Sequence, residues 1–116
     1  MMTRWTIAIA LLASCAFAHA RPLAVPDDGT AAVWASRLVS KYQLTTDKID
    51  CLFFDTFDKG ASFDVRVREN HAPECGGMVD TSPTLFFIKI RKSDGRASTN
   101  AYDSARFVPL RRVTKK

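Results

Sequence analysis

CLFFDTFDKGASFDVRVR, residues 51–68, decides the fold. Residues 51–57 are crowded with aromatic and branched side chains, the composition of a β-strand. Asp58-Lys59-Gly60 supplies the turn, with Gly60 free to take a positive φ. The return limb alternates: Phe63, Val65 and Val67 fall on one face and Asp64, Arg66 and Arg68 on the other. A period of two places one face against a core and the other against water. That pattern implies an antiparallel sheet covered on one side only.

Working outward toward the amino terminus, the period changes to that of a helix. From Ala31 to about Gln43, Trp34, Leu38 and Tyr42 form one row and Ala31, Ala35 and Val39 the next, with Arg37, Ser40 and Lys41 opposite. Thr30 is the expected N-cap, with Asp27 and Asp28 upstream at the positive end of the helix. Toward the carboxyl terminus, a long connection over residues 69–83 precedes TLFFIKIR, residues 84–91, in which Phe86, Ile88 and Ile90 share a face. Asp94-Gly95 marks a hairpin. Residues 97–102 return as a weaker strand, and residues 106–113 add a short edge piece carrying Pro109. The fold class is therefore α+β: one N-terminal amphipathic helix packed on a four- to five-stranded antiparallel meander.

The chain begins as an exported precursor would. Arg4 heads an apolar run over residues 5–18, and Ala18-His19-Ala20 offers the small-x-small pattern of signal-peptidase cleavage. The run is shorter than the roughly 20 residues of a spanning helix, so no transmembrane span is expected in the mature form. Residues 1–20 read as a signal peptide, 21–29 as a flexible Pro- and Asp-rich leader, and 30–116 as a single domain. Leu12-Ala13-Ser14-Cys15 resembles a lipobox, which makes a lipoprotein anchored at Cys15 the alternative to a soluble periplasmic or secreted protein. The chain carries a net charge of +5, and +4 once Arg4 is removed with the leader. That charge suits acidic proteins, anionic wall polymers or lipid headgroups. Export and the lack of a basic-aromatic motif argue against nucleic acid.

Cys51 and Cys75 remain after cleavage, and an even count in an exported domain reads as one disulfide. A loop of about 25 residues closed this way is worth roughly 3.5 kcal/mol in the chain-entropy model. No CxxC or HxxxH spacing makes His71 and Cys75 a metal site, and no cofactor motif is present.

The connection itself is the most distinctive stretch. It runs Glu69-Asn70-His71, Cys75-Gly76-Gly77, then Thr81-Ser82-Pro83-Thr84-Leu85-Phe86, with Gly95 and Phe107-Val108-Pro109-Leu110 beyond. This succession over residues 50–110 resembles a group of small uncharacterised exported proteins of Gram-negative bacteria. Their pattern is a Cys-bearing strand, an ExHxxxCGG loop, a TxPxLF strand and a terminal FxPL. The resemblance implies the Cys51–Cys75 pairing and a single domain, and it brings no activity with it. That group has Asp-Pro after the paired glycines, where this chain has Met78-Val79.

Three chemistries are open to the loop. His71 beside Glu69 has the makings of an acid/base pair, or else the imidazole simply ties the loop backbone. Gly76 and Gly77 either present backbone N–H groups to an anion or satisfy positive-φ turns beside the disulfide. Lastly, a disulfide-pinned loop, with Asn70 and Arg68 at its base, loses little entropy on docking to a protein. No G-x-S-x-G or H-E-x-x-H motif is present, and Cys75 is committed to the disulfide, so an enzyme is not expected. Arg66 and Arg68, with Lys89 and Arg91, could build a basic sheet face. Phe53, Phe57, Leu85 and Phe87 break the alternation and belong either to the core or to an apolar surface. The expected function is a non-enzymatic periplasmic binding module, an inhibitor or immunity factor for a cell-wall hydrolase. An envelope module that holds peptidoglycan or anionic lipid on the basic face is the alternative.

Overall fold

The computed structural model describes residues 22–112. The expected signal peptide, the lipobox with Cys15 and the last four residues lie outside them. One helix, α1 (Asp28–Tyr42), packs on a five-stranded sheet in the order β1 (Leu52–Asp58), β2 (Ser62–Glu69), β3 (Thr84–Arg91), β4 (Ala97–Thr99), β5 (Val108–Pro109). Every neighbouring pair is antiparallel. Fold class and helix placement are those the two periodicities imply.

Register follows from the tight turn. Lys59 N–H donates to the Ser62 carbonyl at 2.8 Å, and Asn70 N–H donates to the Cys51 carbonyl at 2.8 Å. Between those two bonds β1 and β2 pair without a bulge from Leu52 opposite Glu69 to Asp58 opposite Phe63. Phe63, Val65 and Val67 of β2 and Phe86, Ile88 and Ile90 of β3 thereby line one face, closed over by Ala31, Ala35 and Val39 of α1. All nine are buried. Deleting a large member of such a set costs about 2–5 kcal/mol, because the cavity left behind adds to the lost transfer energy.

The helix starts earlier than Thr30 suggests. Asp27 is the N-cap, its carboxylate accepting from Thr30 N–H at 2.8 Å, and Gly29 falls inside the first turn. That bond to Thr30 N–H holds the Asp27 carboxyl below its ordinary value. The donor lies three positions after the cap, the spacing at which an aspartate reaches the N3 amide. The leader also differs from a loose segment. Val25 is fully buried in the core, and its N–H donates to the Lys92 carbonyl at 3.0 Å. The flanking prolines, Pro22 and Pro26, favour extended backbone, which here delivers an apolar side chain to the core. Cys51 ends a single 3-10 turn (Ile49–Cys51) and so sits ahead of β1.

The Cys51–Cys75 disulfide is formed and ties the start of β1 to the long connection. No helix among the described residues is long and apolar enough to cross a membrane.

Candidate functional site

With one face of the sheet spent on the helix, its other face is left open. Register assigns its occupants. On β1 they are Phe53, Asp55 and Phe57, opposite Arg68, Arg66 and Asp64 of β2. On β3 they are Phe87 and Lys89, opposite Arg66 and Asp64. The residues that break the alternation therefore form a surface, since Phe53 (40%), Phe57 (41%) and Leu85 (36%) are all substantially exposed, as is Phe107 (42%) near β5.

This face is ordered by charge as well as by backbone. Arg66 Nε donates to Asp55 Oδ2 at 3.0 Å, Arg68 Nε donates to the same oxygen, and Arg68 Nη2 reaches Asp55 Oδ1 at 3.2 Å. The Arg68 guanidinium, and after it that of Arg66, holds the Asp55 carboxyl below the ordinary carboxylate value, against the opposing effect of burial. Arg68 is correspondingly raised by Asp55. Each arginine then lies over an aromatic ring: Arg66 is 5.4 Å from the Phe57 centroid and Arg68 is 5.1 Å from that of Phe53. Lys89 stands 5.1 Å from the Phe107 centroid. The result is a ladder in which guanidinium planes and rings support one another, each contact worth about 0.5–1 kcal/mol where exposed. Between them Asp64 Oδ1 is shielded from solvent, with no hydrogen-bond partner among the described residues.

The expected basic face is thus a mixed one. Asp55 neutralises one of the two charges of Arg66 and Arg68, Asp64 stands opposite Lys89, and Arg91 is ion-paired to Asp94 at 3.1 Å.

The loop over residues 70–83 continues this surface at one end. Arg68 Nη1 donates to Ser82 Oγ at 2.9 Å, and Ser82 Oγ–H donates to the Glu69 carbonyl at 2.6 Å. A shallow depression of about 390 Å³ lies between Phe53 and the loop, walled by Asn70, His71, Val79, Thr81 and Ser82 among others.

His71 is the post on which the loop is wrapped. Its Nδ1 lies 2.7 Å from the Met78 carbonyl, and because a carbonyl only accepts, Nδ1 carries the proton. Thr81 Oγ1 is 3.0 Å from the same nitrogen. Nε2 faces Glu69 Oε2 at 3.4 Å, which sets the two side chains next to each other. Gly77 rests against the imidazole so closely that a Cβ there would meet the ring at 2.7 Å, and its φ of 87° also favours glycine. Gly76, with φ 74°, has open space around it. Asn70 serves the backbone, its Oδ1 accepting from Ala72 N–H at 3.1 Å.

The structure therefore brings Arg66, Arg68, Glu69, Asn70 and His71 onto one continuous surface with the loop. Gly76 and Gly77 shape that loop. Phe53 and Phe57, expected in the core or on an apolar surface, lie on this exposed face. Asp55 and Ser82 are the members that sequence reading did not single out. The hairpin could have found Asp55, since pairing Lys59 with Ser62 and counting back sets it opposite Arg66. Among the described residues no three His, Cys, Asp or Glu side chains are grouped to hold a metal ion. Compared with known proteins, the chain matches no family model, no curated protein and no solved structure.

Proposed function

We propose that the protein is a non-enzymatic binding module of the bacterial envelope that docks on another protein through its open sheet face and the adjoining disulfide-tied loop. The observation that carries this reading is the arginine–aromatic ladder of Phe53, Phe57, Arg66 and Arg68, locked by Asp55. Tyrosine, tryptophan, phenylalanine and arginine dominate the centres of protein interfaces, and side chains already fixed in place lose less entropy on association. Docking rather than catalysis also agrees with the loop, where His71 is only 11% exposed and has Nδ1 engaged by a backbone carbonyl.

Within that reading, the partner we favour is a cell-wall hydrolase, with this protein as its inhibitor or immunity factor, held in the periplasm by export and stabilised there by its disulfide. The alternative, retention of peptidoglycan or anionic lipid by a basic face, is weakened by the carboxylates interleaved among the cations. The test is lysis of purified wall sacculi by periplasmic hydrolases, with and without the disulfide-bonded protein. Slower lysis that Phe57→Ser and Arg68→Ala variants fail to produce supports the reading. Unaltered lysis removes the hydrolase, and binding to sacculi that rising salt abolishes would favour the wall-polymer alternative.

A further inference from the structure

The sheet has two edges, and they are treated very differently. β5 ends it with two residues, one of them Pro109, which has no N–H to offer. A short strand bearing proline is a blunted edge. The other edge is β1, seven residues long, LFFDTFD, with no proline, no lysine and no bulge.

Which backbone groups β1 turns outward follows from the bonds at its two ends. Cys51 with Asn70 and Lys59 with Ser62 are hydrogen-bonded pairs, and such pairs alternate along an antiparallel ladder. Phe53, Asp55 and Phe57 therefore spend their N–H and C=O groups on β2. Phe54, Thr56 and Asp58 point theirs away from it, while Leu52 N–H is used by the Ile49 carbonyl. Among the described residues no backbone hydrogen bond reaches Phe54 or Thr56 from that outer side.

The helix repeats the asymmetry. Trp34 on one flank of α1 lies against Gly95 of the β3–β4 hairpin. The opposite flank, toward β1, carries Gly29, Ala32 and Ser36, residues small enough to let a second helix come near.

We infer that β1 pairs antiparallel with β1 of a second copy of this chain about a two-fold axis, joining two sheets into one. A single usable edge, with the other blunted, closes the assembly at two copies and does not propagate it. The register that uses the edge best centres on Asp55. Phe54 of each copy then exchanges both backbone bonds with Thr56 of the other, and Phe53 stands beside the opposing Phe57 on the shared open face, rings that the single chain leaves 40% and 41% exposed. The two Asp55 side chains meet across the axis, each already neutralised by Arg66 and Arg68. Both helices fall on the same face, their small-residue flanks toward each other. The open faces become one surface bearing two ladders, so a partner with two sites would be held with avidity.

Sedimentation of the disulfide-bonded protein over a dilution series, with amide hydrogen exchange at each concentration, tests this. The expected result is a reversible dimer in which exchange at Phe54 and Thr56 slows roughly tenfold or more relative to the dilute chain. Phe53 and Asp55, bonded within the monomer, should not change. Thr56→Pro, which removes one outward N–H and the 3.4 Å bond from Thr56 Oγ1 to the Asp28 carbonyl, should yield a folded monomer. A monomer at every concentration would overturn the inference. So would a dimer whose Phe54 and Thr56 amides exchange as fast as in the dilute chain, or a Thr56→Pro protein that dimerises unchanged. Should Thr56→Pro fail to fold, the exchange series on the unmodified protein decides alone.

Discussion

The two faces of β2 are made by alternate residues of one strand, yet they are held by different physics. On the helix side, Phe63, Val65 and Val67 are buried, and burial sets their worth at a few kcal/mol each. On the open side, Asp64, Arg66 and Arg68 alternate with them and are held by ion pairs and ring contacts that water partly screens. The covered face carries the sheet's stability, whereas the open face is ordered by contacts that add little to it. The docking proposed above would use that ordered face.

The sharpest way to break that contrast is to truncate one residue on each side. Phe63→Ala should lower unfolding free energy by about 3–5 kcal/mol in urea titration. Phe57→Ala, an equal truncation on the open side, should cost about 1 kcal/mol or less. Equal losses would mean that the open face is a second core. Removing the disulfide as Cys51→Ala with Cys75→Ala should cost about 3.5 kcal/mol. Proteolysis should then cut first within residues 70–83, where few regular bonds hold the loop.

Within that loop, the paired glycines give a finer comparison. Gly77→Ala carries both the positive φ and a collision with the His71 ring, whereas Gly76→Ala carries the φ penalty alone. The first should cost about 2–3 kcal/mol and the second about 1–2 kcal/mol, measured by thermal unfolding. Equal costs would show that the imidazole moves aside.

Acid provides the smallest effect. The folded Asp55 carboxyl lies below its ordinary value of 3.8, chiefly through Arg68. Its stabilisation is therefore complete above that value and is lost as the pH falls below it toward the folded pKa. Asp58, lowered by Lys92, and Asp27, lowered by Thr30 N–H, act in the same sense and the same window. Asp55→Asn should flatten the fall of stability with acid below about pH 4 without abolishing it, by about 1 kcal/mol or less. An unchanged acid limb would mean that Asp55 is not paired in solution.

Much of this architecture was legible because periodicity speaks for itself. The 84–91 strand and the 63–68 alternation each point one way, while the helix offers two adjacent apolar rows, of which the structure buries Ala31, Ala35 and Val39. The cap was harder, since Thr30, Asp28 and Asp27 are all good capping types, and only geometry shows that Gly29 is tolerated inside the first turn. Val25 was hidden by its prolines, which look like a linker when their docking site is not known. The candidate surface was half legible. The loop announced itself through Cys75-Gly76-Gly77, but the sign of the face did not, because Arg66 and Arg68 look basic until register sets Asp55 between them.

The proposed docking turns on the open face being a recognition surface. Its most direct test is affinity capture from an envelope extract of the producing cells, using the disulfide-bonded protein beside a Phe53→Ser, Phe57→Ser variant and a Val33→Ser variant. Val33 is exposed on α1, away from the open face. One protein should be retained by the unmodified and Val33→Ser forms and lost by the folded double variant. Retention by the double variant at full strength, or no specific protein with any form, would contradict it.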